Sequence, residues 1–255
     1  MHSLTTRRLG NSVIERRFSV SGATGLVPGV LWTRESLPGP AATEGPLLLL
    51  GHGGGGSKDS QGILDARDYF TGRHGIATAA IDGPEHGERG SMSGPQDPAW
   101  AEMWRRPGIH DDMNADWRAT LDALLALSEF DPRAVGYIGL SMGTMLGLSY
   151  VAADPRITVA VLGSCGLRGP AVDLSGIGAR LAADAPKVTC PLLYHVQWED
   201  ERFDRDGALE LFGMLGSEDK RLQATPGPHG GISREGRESL WAFLVGRLTK
   251  VSASD

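Results

Sequence analysis

Residues 135–143, Val135-Gly136-Tyr137-Ile138-Gly139-Leu140-Ser141-Met142-Gly143, pass from a short apolar run through a Gly-x-Ser-x-Gly turn into a segment with helical spacing. A serine on a tight turn between strand and helix has its hydroxyl thrown clear of the backbone, and flanking glycines remove the side chains that would clash there. Outward from this stretch, apolar runs at 47–51 (LLLLG), 76–81 (IATAAI), 157–163 (ITVAVLG) and 192–196 (LLYHV) have the continuity of strands buried on both faces. Between the runs, segments 60–73, 112–128, 142–153, 204–215 and 233–249 carry helical spacing. In the second, Met113, Trp117, Leu121, Leu124 and Leu125 share one stripe, with Asp111 or Asp112 expected as cap. In the last, Leu240, Trp241, Leu244 and Leu248 are expected to face inward. Strands alternating with helices predict βαβ units with right-handed crossovers, hence an α/β fold with a mostly parallel, doubly wound sheet.

The rest of the chain is placed around that pattern. Residues 16–33 read as two earlier strands joined by a turn, His2 as part of a tail, and 36–46 (SLPGPAATEGP) as an exposed loop. Two stretches, 83–111 and 164–187, interrupt the alternation. The first holds Trp100, Met103 and Trp104 and is expected to form a small lid beside the site. There is neither an internal repeat nor a linker, so residues 1–255 are expected to form one domain.

Composition narrows the function. With 25 Lys+Arg against 31 Asp+Glu the net charge is −6, which argues against a nucleic-acid binder because phosphate neutralisation needs a basic face. A 40% hydrophobic, 22% charged chain can bury a large core. Glycine, 36 residues, is used at about twice the average and marks tight turns rather than a linker. Cys165 and Cys190 are read as free thiols, since two cysteines make neither a disulfide scaffold nor a metal site. No apolar run approaches the roughly 20 residues that span a bilayer, and no signal peptide follows Arg7-Arg8 or Arg16-Arg17, so a cytoplasmic location is expected.

Four local signals carry chemistry. Ser141 is a candidate nucleophile. His52-Gly53-Gly54-Gly55-Gly56 follows the run LLLLG, where bare backbone N–H groups of Gly53 or Gly54, with that of Met142, can hold an oxyanion; the loop lacks the Lys-Ser/Thr ending of a phosphate loop. His52 itself is read as holding this loop rather than as a base. At 197–201 (QWEDE) three carboxylates compete to orient an imidazole; Asp200 is preferred, with Glu199 next and the remainder read as a solvated acidic turn. His229, in Thr225-Pro226-Gly227-Pro228-His229-Gly230-Gly231 after the strand-like RLQAT, is the candidate base. The other histidines have structural readings: His195 reads as a satisfied core imidazole, and for His86 and His110, which flank the lid, substrate contact is only the lesser alternative. No histidine pair has metal spacing.

The order Ser141, Asp200, His229, each at the end of an expected strand, resembles the α/β-hydrolase superfamily from Leu47 to Leu248, with residues 1–35 fitting its antiparallel start. Within it the chain is most similar to dienelactone-hydrolase-like serine esterases, through the HGGGG loop, Asp82-Gly83-Pro84-Glu85-His86-Gly87 and Gly227-Pro228-His229. Dienelactone hydrolases proper use cysteine where this chain has Ser141. The resemblance implies the α/β-hydrolase fold and hydrolysis of a small-molecule carboxylic ester through an acyl-enzyme, with no metal or organic cofactor. Peptidase, acyltransferase and perhydrolase chemistry on the same triad are the alternatives, followed by a non-catalytic binding protein. By proximity in sequence, Met142, Trp104 and Trp198 are expected to line the acyl pocket. Neither nucleic acid nor membrane is an expected partner, and periodicity specifies no oligomeric state.

Overall fold

The computed structural model describes residues 2–10, 12–35 and 44–251. Of the loop expected at 36–46, residues 36–43 lie outside the described residues, and Gly45 and Pro46 already belong to a strand. Nine strands form one sheet: β1 (His2–Arg8), β2 (Val13–Gly22), β3 (Gly25–Arg34), β4 (Gly45–Gly51), β5 (Ala77–Ile81), β6 (Phe130–Gly139), β7 (Val159–Gly163), β8 (Leu192–Gln197) and β9 (Lys220–Thr225). Their order is β1-β2-β3-β5-β4-β6-β7-β8-β9. β1, β2, β3 and β5 pair antiparallel, and β5, β4, β6, β7, β8 and β9 pair parallel, giving the mostly parallel α/β sheet that the alternation of elements predicts.

Every residue of β5, β7 and β8 is buried, as strands covered on both faces require. Alternate side chains serve opposite cores. Leu47, Leu49, Val135 and Tyr137 join one cluster, whereas Leu48, Leu50 and Ile138 join the other. The first face is covered by α2 (Pro98–Arg105), α3 (Ile109–Leu125), α4 (Met142–Ala153), α5 (Pro170–Ser175), α6 (Gly178–Asp184) and α7 (Arg205–Met214). The second lies under α1 (Gln61–Arg67), which continues as a π-turn to Arg73, and α8 (Arg234–Val251). Leu240, Trp241, Leu244 and Leu248 of α8 are buried, each contributing about 1.5–3 kcal/mol.

Three expectations change. The segment His2–Arg8 is a strand paired with β2, not a tail. α3 begins at Ile109, with Gly108 in the left-handed region (φ 79°) before it, so Asp111 and Asp112 lie in its first turn rather than capping it; carboxylates there favour the positive end of the helix dipole. The segment 83–111, expected as a small lid beside the site, packs down on the first core: Trp100, Met103 and Trp104 are at most 6% exposed and belong to it, and Asp97 caps α2 by accepting the Ala99 N–H at 3.0 Å. Among the described residues no helix is long and apolar enough to cross a membrane.

Candidate active site

The parallel strands end on one edge, where the candidate residues gather: His52 after β4, Gly83 after β5, Ser141 after β6, Ser164 after β7, Asp200 after β8 and His229 after β9. Ser141 sits between β6 and α4 at φ 56° and ψ −123°, a conformation that costs a residue with a Cβ about 1–3 kcal/mol. The turn is clamped from all sides. Its N–H donates to the Gly163 carbonyl at 3.0 Å, the Tyr137 hydroxyl donates to the Gly143 carbonyl at 2.8 Å, and the Thr144 hydroxyl accepts the Gly163 N–H at 2.8 Å. A Cβ at Gly139 would stand 2.5 Å from the Gly143 carbonyl oxygen, and one at Gly143 would stand 2.7 Å from that of Gly51, so backbone passes where any other residue would collide.

His229 Nε2 lies 2.8 Å from Ser141 Oγ, and its Nδ1 lies 2.8 Å from Asp200 Oδ2. The other carboxylate oxygen, Asp200 Oδ1, accepts the backbone N–H groups of Arg202 at 2.9 Å and Phe203 at 3.1 Å. With Oδ1 already accepting two backbone N–H groups, Asp200 serves as an acceptor, and its Oδ2 faces the imidazole Nδ1 in the same role. Nδ1 therefore carries the proton, and Nε2 presents a lone pair to the serine hydroxyl. Such a chain can remove a proton from Ser141 and return it to a departing group.

The neighbouring acids are structural partners of the same loop rather than a merely solvated turn. Glu199 accepts the Gly227 N–H, and Glu201 accepts the His229 N–H at 2.9 Å, an interaction that lowers the Glu201 pKa below the usual carboxylate value. Gln197, not singled out in the sequence, accepts from His195 Nε2 at 2.8 Å and donates to the Pro228 carbonyl at 3.0 Å, so a buried chain reaches the residue before His229.

On the opposite wall, His52 donates from Nδ1 to the Gly53 carbonyl and accepts the Gly83 N–H on Nε2, both at 2.9 Å. Burial depresses its pKa to about 4, so it stays neutral and ties the glycine loop to the β5 end. His86 is buried, with ring nitrogens 2.7 Å from the Pro84 carbonyl oxygen and 3.1 Å from that of Gly54, and His110 packs on Trp104 with centroids 5.9 Å apart. Beneath the loop, Lys58, 1% exposed, contacts Asp82 at 2.7 Å and Glu88 at 2.6 Å and joins the turns after β4 and β5; it too went unread in the sequence. Burial keeps both thiols protonated, raising Cys190 to about 11 and Cys165 further, so neither is an activated nucleophile.

A cleft of about 680 Å³ opens on this site, lined by Ser141, His229, Ser164, Arg202 and the glycine loop, and runs between α1 and α8. Trp104 and Trp198 do not line it, which corrects the pocket expected from sequence proximity. Trp104 is turned into the core beside Trp100, and the Arg205 guanidinium covers the exposed Trp198 ring at 4.2 Å. Trp100 reaches the loop instead: a Cβ at Gly54 would stand 2.4 Å from its ring. From the segment 83–111 the cleft receives Pro95, whereas His86, His110 and Met142 are not on its wall.

No family model and no curated protein matches the chain. Solved structures do. A cold-adapted esterase from an Arctic intertidal metagenomic library, with polyethylene glycol bound, is 37% identical, aligns over 97% of this chain and 99% of its own, and gives a TM-score of 0.83. Acetyl xylan esterase from Paenibacillus sp. R4 is 18% identical over 96% of this chain and 87% of its own, with a TM-score of 0.71. An esterase of Pyrococcus furiosus is 14% identical over 97% and 99%, with a TM-score of 0.69. The latter two likenesses are of fold alone.

Proposed function

Because the chain belongs to the esterases of the α/β-hydrolase superfamily, we propose that it cleaves carboxylic esters with Ser141 as nucleophile, His229 as general base and acid, and Asp200 as the partner that orients the imidazole. His229 Nε2 takes the Ser141 proton as Oγ adds to the ester carbonyl carbon, whose π pair moves onto oxygen. The N–H of Met142, at the start of α4, and that of Gly53 or Gly54 receive this oxyanion; one such donor is worth about 10²–10³-fold in rate. The imidazolium, stabilised by Asp200, then protonates the leaving alkoxide oxygen, and the alcohol departs from an acyl-Ser141. Water, deprotonated by His229, adds to the acyl carbon. Collapse breaks the bond to Ser141 Oγ, returns its proton and releases the acid. The reaction needs no electron donor or acceptor.

The observation that carries this reading is the unbroken series Ser141 Oγ, His229 Nε2, His229 Nδ1, Asp200 Oδ2, with both contacts at 2.8 Å, on a strained turn that opens into a cleft. Hydrolysis of p-nitrophenyl esters by the natural chain and by Ser141→Ala tests it. Turnover by the natural chain, reduced about 10⁴-fold or more in the variant, is expected. Equal rates in the two proteins would overturn the assignment.

A further inference from the structure

We infer that the cleft between α1 and α8 binds an apolar arm of the ester, a chain or ring of several carbons, and that Asp65, Arg237 and Trp241 set how far that arm extends. The inference rests on the esterase reading of Ser141.

The cleft, about 680 Å³, lies within the roughly 300–1,000 Å³ typical of sites that enclose a drug-sized molecule and is far larger than an acetyl group needs. Ile63 and Ala66 from α1, Ile138 from β6, Ile232 before α8, and Leu240 and Trp241 from α8 give the cleft a largely apolar wall, to which Ser60 and Gln61 add uncharged polar side chains. Besides Arg202, two residues after Asp200, the charged side chains on its lining are those of Asp65 and Arg237, where Arg237 Nη1 meets Asp65 Oδ2 at 3.2 Å and the guanidinium lies 6.0 Å from the Trp241 ring centre. Asp65, Arg237 and Trp241 also line a second hollow, of about 470 Å³, on the outer side, together with Tyr69, Arg73 and Glu238. These three residues are therefore the partition between an apolar interior and a charged exterior. A hydrocarbon arm gains by leaving water until it reaches the partition, and beyond it would have to displace an ion pair. The hollow beside α3, α4 and α6 offers no comparable surface, for Asp111, Arg118, Arg180, Asp184 and Lys187 line it.

The arm can belong to the acyl or to the alkoxy half of the ester, and two substrate series separate these. One varies the acyl chain of p-nitrophenyl esters from acetate to decanoate; the other varies the alcohol of acetate esters from ethanol to decanol. In the series whose arm occupies the cleft, kcat/KM should climb about fourfold per methylene and then fall once the partition is met. A Cβ at Gly62, on the cleft wall in α1, meets nothing within 4 Å, so Gly62→Phe is the substitution chosen to add bulk at the cleft. It should lower kcat/KM for long members relative to acetate by about tenfold or more. Arg237→Ala should move the optimum to longer chains. A response in the acyl series assigns the acyl arm, and one in the alcohol series the alkoxy arm; either supports the inference. If neither series climbs, or both variants keep the natural profile while a fluorophosphonate still labels Ser141, the cleft is not the subsite and the esterase reading stands. If the natural chain neither hydrolyses esters nor takes the label, the esterase reading fails and this inference fails with it.

Discussion

Replacing Asp200 by Asn preserves size and removes charge, and the surroundings dictate how the new amide must sit. The position of Oδ1 faces two backbone donors, the N–H groups of Arg202 and Phe203, at 2.9 and 3.1 Å. An NH2 placed there would confront both, so the amide oxygen takes that position and the NH2 turns toward His229 Nδ1, 2.8 Å away. Nδ1 must then accept, the ring proton moves to Nε2, and Nε2 points its hydrogen at Ser141 Oγ, also 2.8 Å away. An imidazole in that tautomer cannot take the serine proton. A triad held in the wrong tautomer loses about 10⁴-fold in kcat, which is about 5.4 kcal/mol of barrier. Steady-state hydrolysis of a p-nitrophenyl ester, with circular dichroism to show a retained fold, measures it. Activity within about tenfold of the natural chain would mean that a carboxylate other than Asp200 orients the ring. Glu199 and Glu201 are poorly placed for that, being engaged by the N–H groups of Gly227 and His229.

Three further outcomes are expected. At φ 56° Ser141 carries strain that glycine does not, so Ser141→Gly should be more stable to urea than Ser141→Ala by about 1–3 kcal/mol, and the reverse order would show that the elbow is unstrained. Gln197→Leu removes the donor to the Pro228 carbonyl and loosens the His229 loop, so kcat should fall about tenfold with KM little changed; an unaltered kcat would remove Gln197 from the positioning chain. Burial pushes His52 and His110 down to about 4 from 6.5, so the unfolded chain binds protons that the folded chain refuses, and stability falls as pH drops from 6.5 toward 4. The loss for a group such as His52 reaches about 3 kcal/mol; urea midpoints across this window should show it and His110→Phe should reduce it, whereas a flat profile contradicts it.

What could be read in the sequence follows from the range of each interaction. β4 to β8 were legible because strands covered on both faces are continuous apolar runs, and the elbow because Gly139, Ser141 and Gly143 are forced by local backbone crowding. β1 was not, because HSLTTRR pairs only with β2 at the sheet edge and shows no apolar alternation. The gathering of Ser141, Asp200 and His229 was anticipated from strand ends and chain order. The division of labour among Glu199, Asp200 and Glu201 was not, since it depends on which backbone N–H each carboxylate reaches in a loop 28 or 29 residues away. The cleft escaped the sequence for a similar reason. Its walls come from α1 and α8, helices far apart in the chain that only the tertiary fold brings together, while Trp104 and Trp198 spend their rings on the core and on Arg205. Lys58 and Gln197 are polar residues whose partners are fixed only by the tertiary fold.

If Ser141 is the nucleophile, it becomes acylated during turnover. Rapid mixing with a p-nitrophenyl ester, acid quenching and mass analysis of the proteolysed protein test it directly. The peptide holding Ser141 should gain the mass of one acyl group, and Ser141→Ala should gain none. Hydrolysis at the natural rate with the acyl group absent from Ser141, or carried by a different residue, would contradict it.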